Sequence, residues 1–357
     1  MDKIKTTRAI CWLSEWELLV YKRFRFVKYD MRTKKLSAFC DVPMSKKNKL
    51  LSSFKLFRRM LRLYPQSPCY NKITKKVYFS FDGYVYSLDL TRATVTNEMK
   101  LMHEASRVLS FCACKNGDIL FGEYPTHRDY KPVCIYKKEK DTWRVVFSFP
   151  SESVRHIHLL IEKNNDLYCF TGDEDREVKI IKFTNMDFSR YTIIKEGSQK
   201  YRSCAAFLDA NGNLFYLTDS PYSENKLCCL SAGQNSYEEL CSIDGTVIYS
   251  LTEDDSFVFS TVVEQNLKKD SHNKNVSIRI DGKNGGIRRK DACVYCYDAK
   301  EGLNLIYILK KDALPFRLFG LGTFIFPANS NRDFLAFSSS SLTKDETTFV
   351  INKHGER

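Results

Sequence analysis

The chain has 357 residues, 43% hydrophobic and 13% aromatic, with only 15 Gly and 9 Pro. That composition supplies a large core and excludes long disordered linkers. The formal net charge of +13 points to an acidic partner: an anionic glycan, a phospholipid surface or nucleic acid. Nucleic acid is disfavoured, because no nucleic-acid-binding motif accompanies the charge.

The 13 cysteines are odd in number, and most lie inside strand-like runs such as Leu227-Cys-Cys-Leu230. They read as buried thiols of a reducing compartment. The start, Met1-Asp-Lys-Ile-Lys-Thr-Thr-Arg8, lacks the apolar stretch of a secretory signal. No apolar run approaches the roughly 20 residues of a spanning helix. The expected location is the cytoplasm, with peripheral attachment at the inner membrane face as an option.

In chain order, residues 8–43 contain short apolar runs: Ala9-Ile-Cys-Trp-Leu13, Glu17-Leu-Leu-Val-Tyr21, Phe26-Val-Lys-Tyr29 and Leu36-Ser-Ala-Phe39. Polar residues separate them, as in consecutive strands. Residues 46–63 change the pattern. Leu50, Phe54, Phe57 and Leu61 follow helical spacing, while Lys55, Arg59 and Arg62 fall on the other side. Pro65 is the stop. This basic amphipathic helix either docks on an anionic membrane surface or packs its apolar stripe on the core with its basic side in water.

Strands resume at Lys76-Val-Tyr-Phe-Ser-Phe81, where Asp82-Gly83 marks a hairpin. Four segments then line up, starting at Asp118, Asp166, Asn213 and Ser256. Each is an apolar strand with a polar end: Glu123, Asp173, Asp219 and Glu264. A period of this length in an all-strand unit predicts a β-propeller. Residues 266–290 form a basic insertion, read as a solvated loop. The last runs are Phe324-Ile-Phe326, Phe334-Leu-Ala-Phe337 and Thr348-Phe-Val-Ile351. The expectation is one all-β propeller domain over 1–357, of about seven blades with six as the rival. The terminal strands should share a sheet, which removes a free edge.

The polar strand ends would gather around one axis. The richest segment is Val154-Arg-His-Ile-His158, leading to Thr171-Gly-Asp173. Period-2 alternation puts His156 and His158 on one side and Arg155 on the other. Two histidines position or protonate a sugar; they bind metal only if a carboxylate such as Asp173 or Glu123 completes the site. No metal and no cofactor is assigned. The next unit repeats the design with Gln199, Tyr201 and Arg202, then Asp219. An Arg fork holds carboxylate or phosphate.

Several segments together resemble bacterial sialidase-like propellers with BNR repeats, some of which are associated with surface-polysaccharide loci. They are Gly117-Asp-Ile-Leu-Phe-Gly-Glu-Tyr124, Thr142-Trp143, Arg155-His-Ile-His158, Thr171-Gly-Asp173, Gln199-Lys-Tyr-Arg202 and Thr218-Asp-Ser-Pro221. The Asp-box keeps only its end, in Lys137-Lys-Glu-Lys-Asp-Thr-Trp143. The resemblance implies a carbohydrate-active protein, hydrolase-like or lyase-like, taking an acidic glycan or glycolipid precursor. Glu123, Asp173, His156 and His158 are the catalytic candidates. Tyr124, Arg128, Arg155, Gln199, Tyr201, Arg202, Asp219 and Glu264 are the substrate-binding candidates. The alternative is a non-catalytic scaffold for polysaccharide-assembly enzymes.

Overall fold

The four repeated segments are the second strands of four sheets: Ile119–Tyr124, Asp166–Thr171, Leu214–Thr218 and Ser256–Val262. They recur because second strands are buried on both faces, so they read as continuous apolar runs. Fourth strands such as Thr94–Lys100 are largely exposed and carry no such signal.

The computed structural model describes residues 1–102, 107–125, 131–233, 236–253, 256–272 and 274–354. Seven four-stranded sheets occupy 8–41, 66–100, 107–149, 157–196, 203–243, 246–310 and 323–352, the last joined by Asp2–Lys5. The fold class is a seven-bladed β-propeller, so the count of seven holds over six.

Two compact units divide the chain: residues 1–38, 44–62 and 204–357, and residues 39–43 and 63–203. In the second unit, one core joins the sheets of 66–100 and 107–149 through Tyr78, Val85, Val108, Phe121 and Tyr136. Another joins 107–149 to 157–196 through Leu120, Ile135, Ile157, Leu167 and Phe183. Blade faces thus bury against their neighbours, which supplies the main driving force.

In the first unit the terminal strands share a sheet as expected. Asp2–Lys5 pairs with Thr347–Asn352 in the register Asp2↔Val350 to Lys5↔Thr347. The basic insertion is a built hairpin, not a plain loop: Leu267–Lys269 pairs with Asn275–Ser277. Buried Asn266 accepts from the Ile287 amide at 3.0 Å and donates to Asn284 O at 2.8 Å. Arg288 pairs with Glu224, and Arg289 lies 3.5 Å from Asp244, so part of the positive run is answered internally.

The inserted helix departs most from expectation. It splits into Lys46–Ser53 and Lys55–Met60, because Phe54 is extended (φ −100, ψ 122). Ser45 caps the first helix, its Oγ accepting from the Asn48 amide at 3.1 Å. The polarity is inverted. Leu50, Phe54, Phe57 and Leu61 are exposed, while Arg58 and Arg59 are buried. Arg58 Nε donates to Glu346 Oε1 at 2.8 Å, and its second arm meets Oε2. Arg59 Nη1 donates to Asp312 Oδ2 at 2.7 Å, with Nε 3.4 Å from Asp345 Oδ2. The reading of an apolar stripe on the core with Arg59 in water is therefore corrected: acidic groups at 312, 345 and 346 seat the helices by their arginines.

Removing one partner of a buried pair strands the other charge. Arg58→Met is expected to cost about 3–5 kcal/mol in urea unfolding. The double variant Arg58→Met/Glu346→Gln should recover at least half of that loss; equal loss in both would show that the pair does not hold the helix.

Candidate functional site

Strand Asp166–Thr171 ends in a turn that only glycine permits. Gly172 has φ +79, and a Cβ there would lie 2.3 Å from the Glu177 carbonyl carbon and oxygen. Thr171 Oγ1 donates to Glu177 O at 2.8 Å, and the Gly172 amide donates to His156 O at 3.1 Å. This turn presents the Asp173 carboxylate to four cationic or imidazole groups.

His156 Nε2 lies 3.1 Å and His158 Nε2 3.3 Å from Asp173 Oδ1. Arg202 Nη2 is 3.1 Å from the same oxygen, and Arg155 Nη1 donates to Oδ2 at 3.2 Å. Arg202 follows the short turn Gln199–Tyr201, and its Nη1 donates to Asp173 O at 3.3 Å. Gln199 Nε2 donates to Asp173 O at 2.8 Å and to Asp175 Oδ1 at 3.1 Å. Tyr124 stacks on His156 with ring centroids 3.9 Å apart, and the Arg107 guanidinium sits 5.4 Å over the tyrosine ring. All these residues belong to the second compact unit.

The two imidazoles share a side, as expected, but not by simple alternation. Ile157 pairs with Thr171 and Leu159 with Phe170, so His158 is the extra residue of a β-bulge. A bulge re-aims its side chain. Arg155 precedes the strand, which begins at Ile157, so alternation does not govern it; it meets the same carboxylate as the histidines, which corrects its placement on the opposite side.

Burial by itself would raise the Asp173 carboxyl. The Arg202 charge and the two imidazoles outweigh that and hold it well below the usual carboxylate range. Burial pushes the His156 imidazole down to about 4, against the pull of Asp173, so it is neutral at pH 7. Three buried atoms here have no hydrogen bond among the described residues: His156 Nδ1, His158 Nδ1 and Gln199 Oε1. Such concentration of unmet polar capacity is rare in a core and marks a place where water or a ligand bonds.

His156, His158 and Asp173 together offer three potential metal-ligand atoms, all within 4.8 Å of one another. Two guanidinium groups within 3.2 Å of the same carboxylate already compensate its charge. A divalent cation would face both of them, which opposes metal binding at these atoms.

Other candidates sit elsewhere or in other roles. Buried Glu123 accepts from the Cys134 amide at 2.9 Å and from the Tyr136 hydroxyl at 3.4 Å, which ties it to its own blade. Tyr201 is half-buried at the end of the 199–201 turn. In the first unit, Asp219 accepts from Cys204 Sγ at 3.3 Å, and Glu264 accepts from Thr246 Oγ1 at 2.6 Å. Arg128 lies outside the described residues. Sequence reasoning missed Gly172, Glu177 and Arg107. Fully buried Glu177 accepts from the Asp173 amide at 3.5 Å through Oε2. The signal was the dense acidic run Asp173-Glu-Asp175 after a glycine, which a surface turn does not need.

No family model matches the sequence, and no curated protein matches it. Solved structures share the fold at low identity. An oligogalacturonate lyase from Vibrio parahaemolyticus is 9% identical with a TM-score of 0.58, covering 98% of this chain and 90% of that one. A chain of a mitotic checkpoint complex is 8% identical with a TM-score of 0.57, covering 99% and 91%. A chain of a nidogen–laminin complex is 12% identical with a TM-score of 0.50, covering 85% and 95%. Functions this diverse confirm a propeller and choose no activity.

Neutral burial of His156 predicts a pH effect. Its folded pKa of about 4 lies below the unfolded value near 6.5, so the unfolded chain binds the extra proton between them. Stability should be full above pH 6.5 and fall by about 3 kcal/mol as pH drops toward 4. Urea unfolding of His156→Gln should show a flatter profile across that window; an unchanged slope would remove His156 as the cause.

Proposed function

We propose that this propeller binds an acidic glycan or glycolipid precursor at the Asp173 cluster and acts on it by lyase-like or hydrolase-like chemistry. One observation carries the reading: two arginines and two imidazoles converge on the Asp173 carboxylate, whose side chain remains 19% exposed, with Tyr124 stacked on His156 and the Gln199 amide donating to Asp173 O. Arg155 and Arg202 side chains are themselves 20% and 13% exposed. Their guanidinium edges suit a sugar carboxylate, and Gln199 Oε1 suits a hydroxyl. The resemblance to sialidase-like propellers points to the same substrate class, and the fold shared with an oligogalacturonate lyase is compatible with it.

The residues favour proton abstraction over paired-carboxylate hydrolysis. An imidazole oriented by a carboxylate, as His158 Nε2 is at 3.3 Å from Asp173 Oδ1, is equipped to take a proton. In an elimination, the imidazole would remove the proton α to the sugar carboxylate while Arg202 and Arg155 bear the developing negative charge. The C–O bond to the leaving sugar breaks as the C=C bond forms, and the imidazolium gives the abstracted proton to the departing oxygen, directly or through water. Asp173, held ionised, is a poor proton donor and serves to orient both rings. Glu123, occupied by Cys134 and Tyr136, is poorly placed as its acid–base partner. A second reading, a scaffold for polysaccharide-assembly enzymes, draws on the exposed apolar helices at 46–60.

Titration calorimetry and ultraviolet detection of unsaturated product on sialylated, glucuronate, galacturonate and neutral oligosaccharides test this. Binding should be confined to acidic members and fall about tenfold or more in Arg202→Lys, which keeps the charge and loses the fork. His158→Ala should lose turnover while retaining binding. Identical behaviour of wild type and both variants, or preference for a neutral sugar, would refute the assignment. Acidic-glycan binding without turnover in the wild type would favour the scaffold.

A further inference from the structure

The two short helices expose what an ordinary surface helix buries. Leu50, Phe54, Leu56, Phe57, Met60 and Leu61 are 38–64% exposed, and Phe54 and Phe57 touch edge-to-face at 6.3 Å. Leu318, on the neighbouring turn Phe316–Phe319, adds another exposed side chain at 56%. Exposed apolar clusters on this scale mark interaction surfaces. This one is rigidly presented: Arg58 and Arg59 clamp the helices from behind through Glu346, Asp345 and Asp312, and Arg59 also lies 5.5 Å over the Phe319 ring.

Charge decides the occupant. No Asp or Glu occurs between Val42 and Phe81. Lys46, Lys47, Arg62 and Arg317 are exposed around the apolar side chains. A second copy of the chain would set this basic rim against itself, a like-charge contact that opposes association. We propose that this face docks on an anionic phospholipid surface, with the helices lying in the plane of the interface. Phe54, Phe57 and their neighbours would enter the headgroup boundary while the lysines and arginines reach the phosphates. The helices do not span: the first has eight residues and the second six, and no described helix is long and apolar enough to cross a membrane. The inference is independent of the Asp173 site.

Co-sedimentation of the full chain with vesicles tests it. Phosphatidylcholine vesicles with and without phosphatidylglycerol are compared for wild type, Phe54→Ser/Phe57→Ser, Lys46→Glu/Lys47→Glu and, as a control, Leu305→Ser. Leu305 is 50% exposed on a different strand. Wild type and Leu305→Ser should bind only the anionic vesicles. The phenylalanine variant should bind at least about tenfold more weakly. The lysine variant should bind more weakly, and added salt should release the wild type. Failure to bind anionic vesicles, or binding that survives loss of both phenylalanines, overturns the proposal. So does a dimer in light scattering that Phe54→Ser/Phe57→Ser dissolves, which would assign the face to a second copy.

Discussion

A carboxylate taken out of water must be answered by cations or hydrogen-bond donors, and cations answer it at both unusual features of this chain. Glu346 is 3% exposed and is gripped by Arg58. Asp173 is gripped by Arg155 and Arg202, with two imidazoles completing its surroundings. The desolvation cost of each anion is offset only while its partners stay in place. The outcomes differ because the exposures differ. The Glu346 pair is sealed, so it fixes a helix. The Asp173 cluster keeps part of its surface in water, so its fixed charges and polar atoms stand where a guest can meet them.

Much of the fold was legible because a propeller repeats its buried second strand. Asp118, Asp166, Asn213 and Ser256 start runs that the structure places in equivalent positions of four sheets. The candidate site was legible in composition more than in geometry. His156, His158, Asp173, Arg155, Arg202, Gln199 and Tyr124 do come together. Their arrangement was hidden because alternation assumes a regular strand, whereas Arg155 and His156 precede the strand and His158 sits in a bulge. Glu123 shows the opposite failure. A charged strand end looks like a site residue, yet here one oxygen accepts a backbone amide. Strand position alone does not reveal which local donors a carboxylate will find.

The helix shows a deeper limit. Periodicity expected one helix with an apolar and a basic side, but the break at Phe54 divides it, and of Lys55, Arg59 and Arg62 only Arg59 turns inward. Periodicity also cannot say which side faces the core. The usual answer follows from burying hydrocarbon. That answer fails when the acceptor surface is acidic, and here the acids at 345 and 346 lie almost the whole chain away in sequence. No local pattern around Arg58 announces that partner. The apolar side chains were then left outside, which turns a packing residue set into a surface with its own use.

The same pairing governs how the +13 charge should be read. Arg58, Arg59, Arg288 and Arg289 are engaged with acids inside their own unit, as are Arg155 and Arg202 with Asp173. Net charge therefore overstates the cationic surface, and in the insertion at 266–290 Arg288 and Arg289 are answered in this way. Two cationic settings stand out: the acid-free sequence around residues 46–62, and the guanidinium pair at Asp173. On the proposed readings, the first would meet a lipid phosphate beside a broad apolar face, and the second a sugar carboxylate through a fork with imidazoles and an aromatic ring.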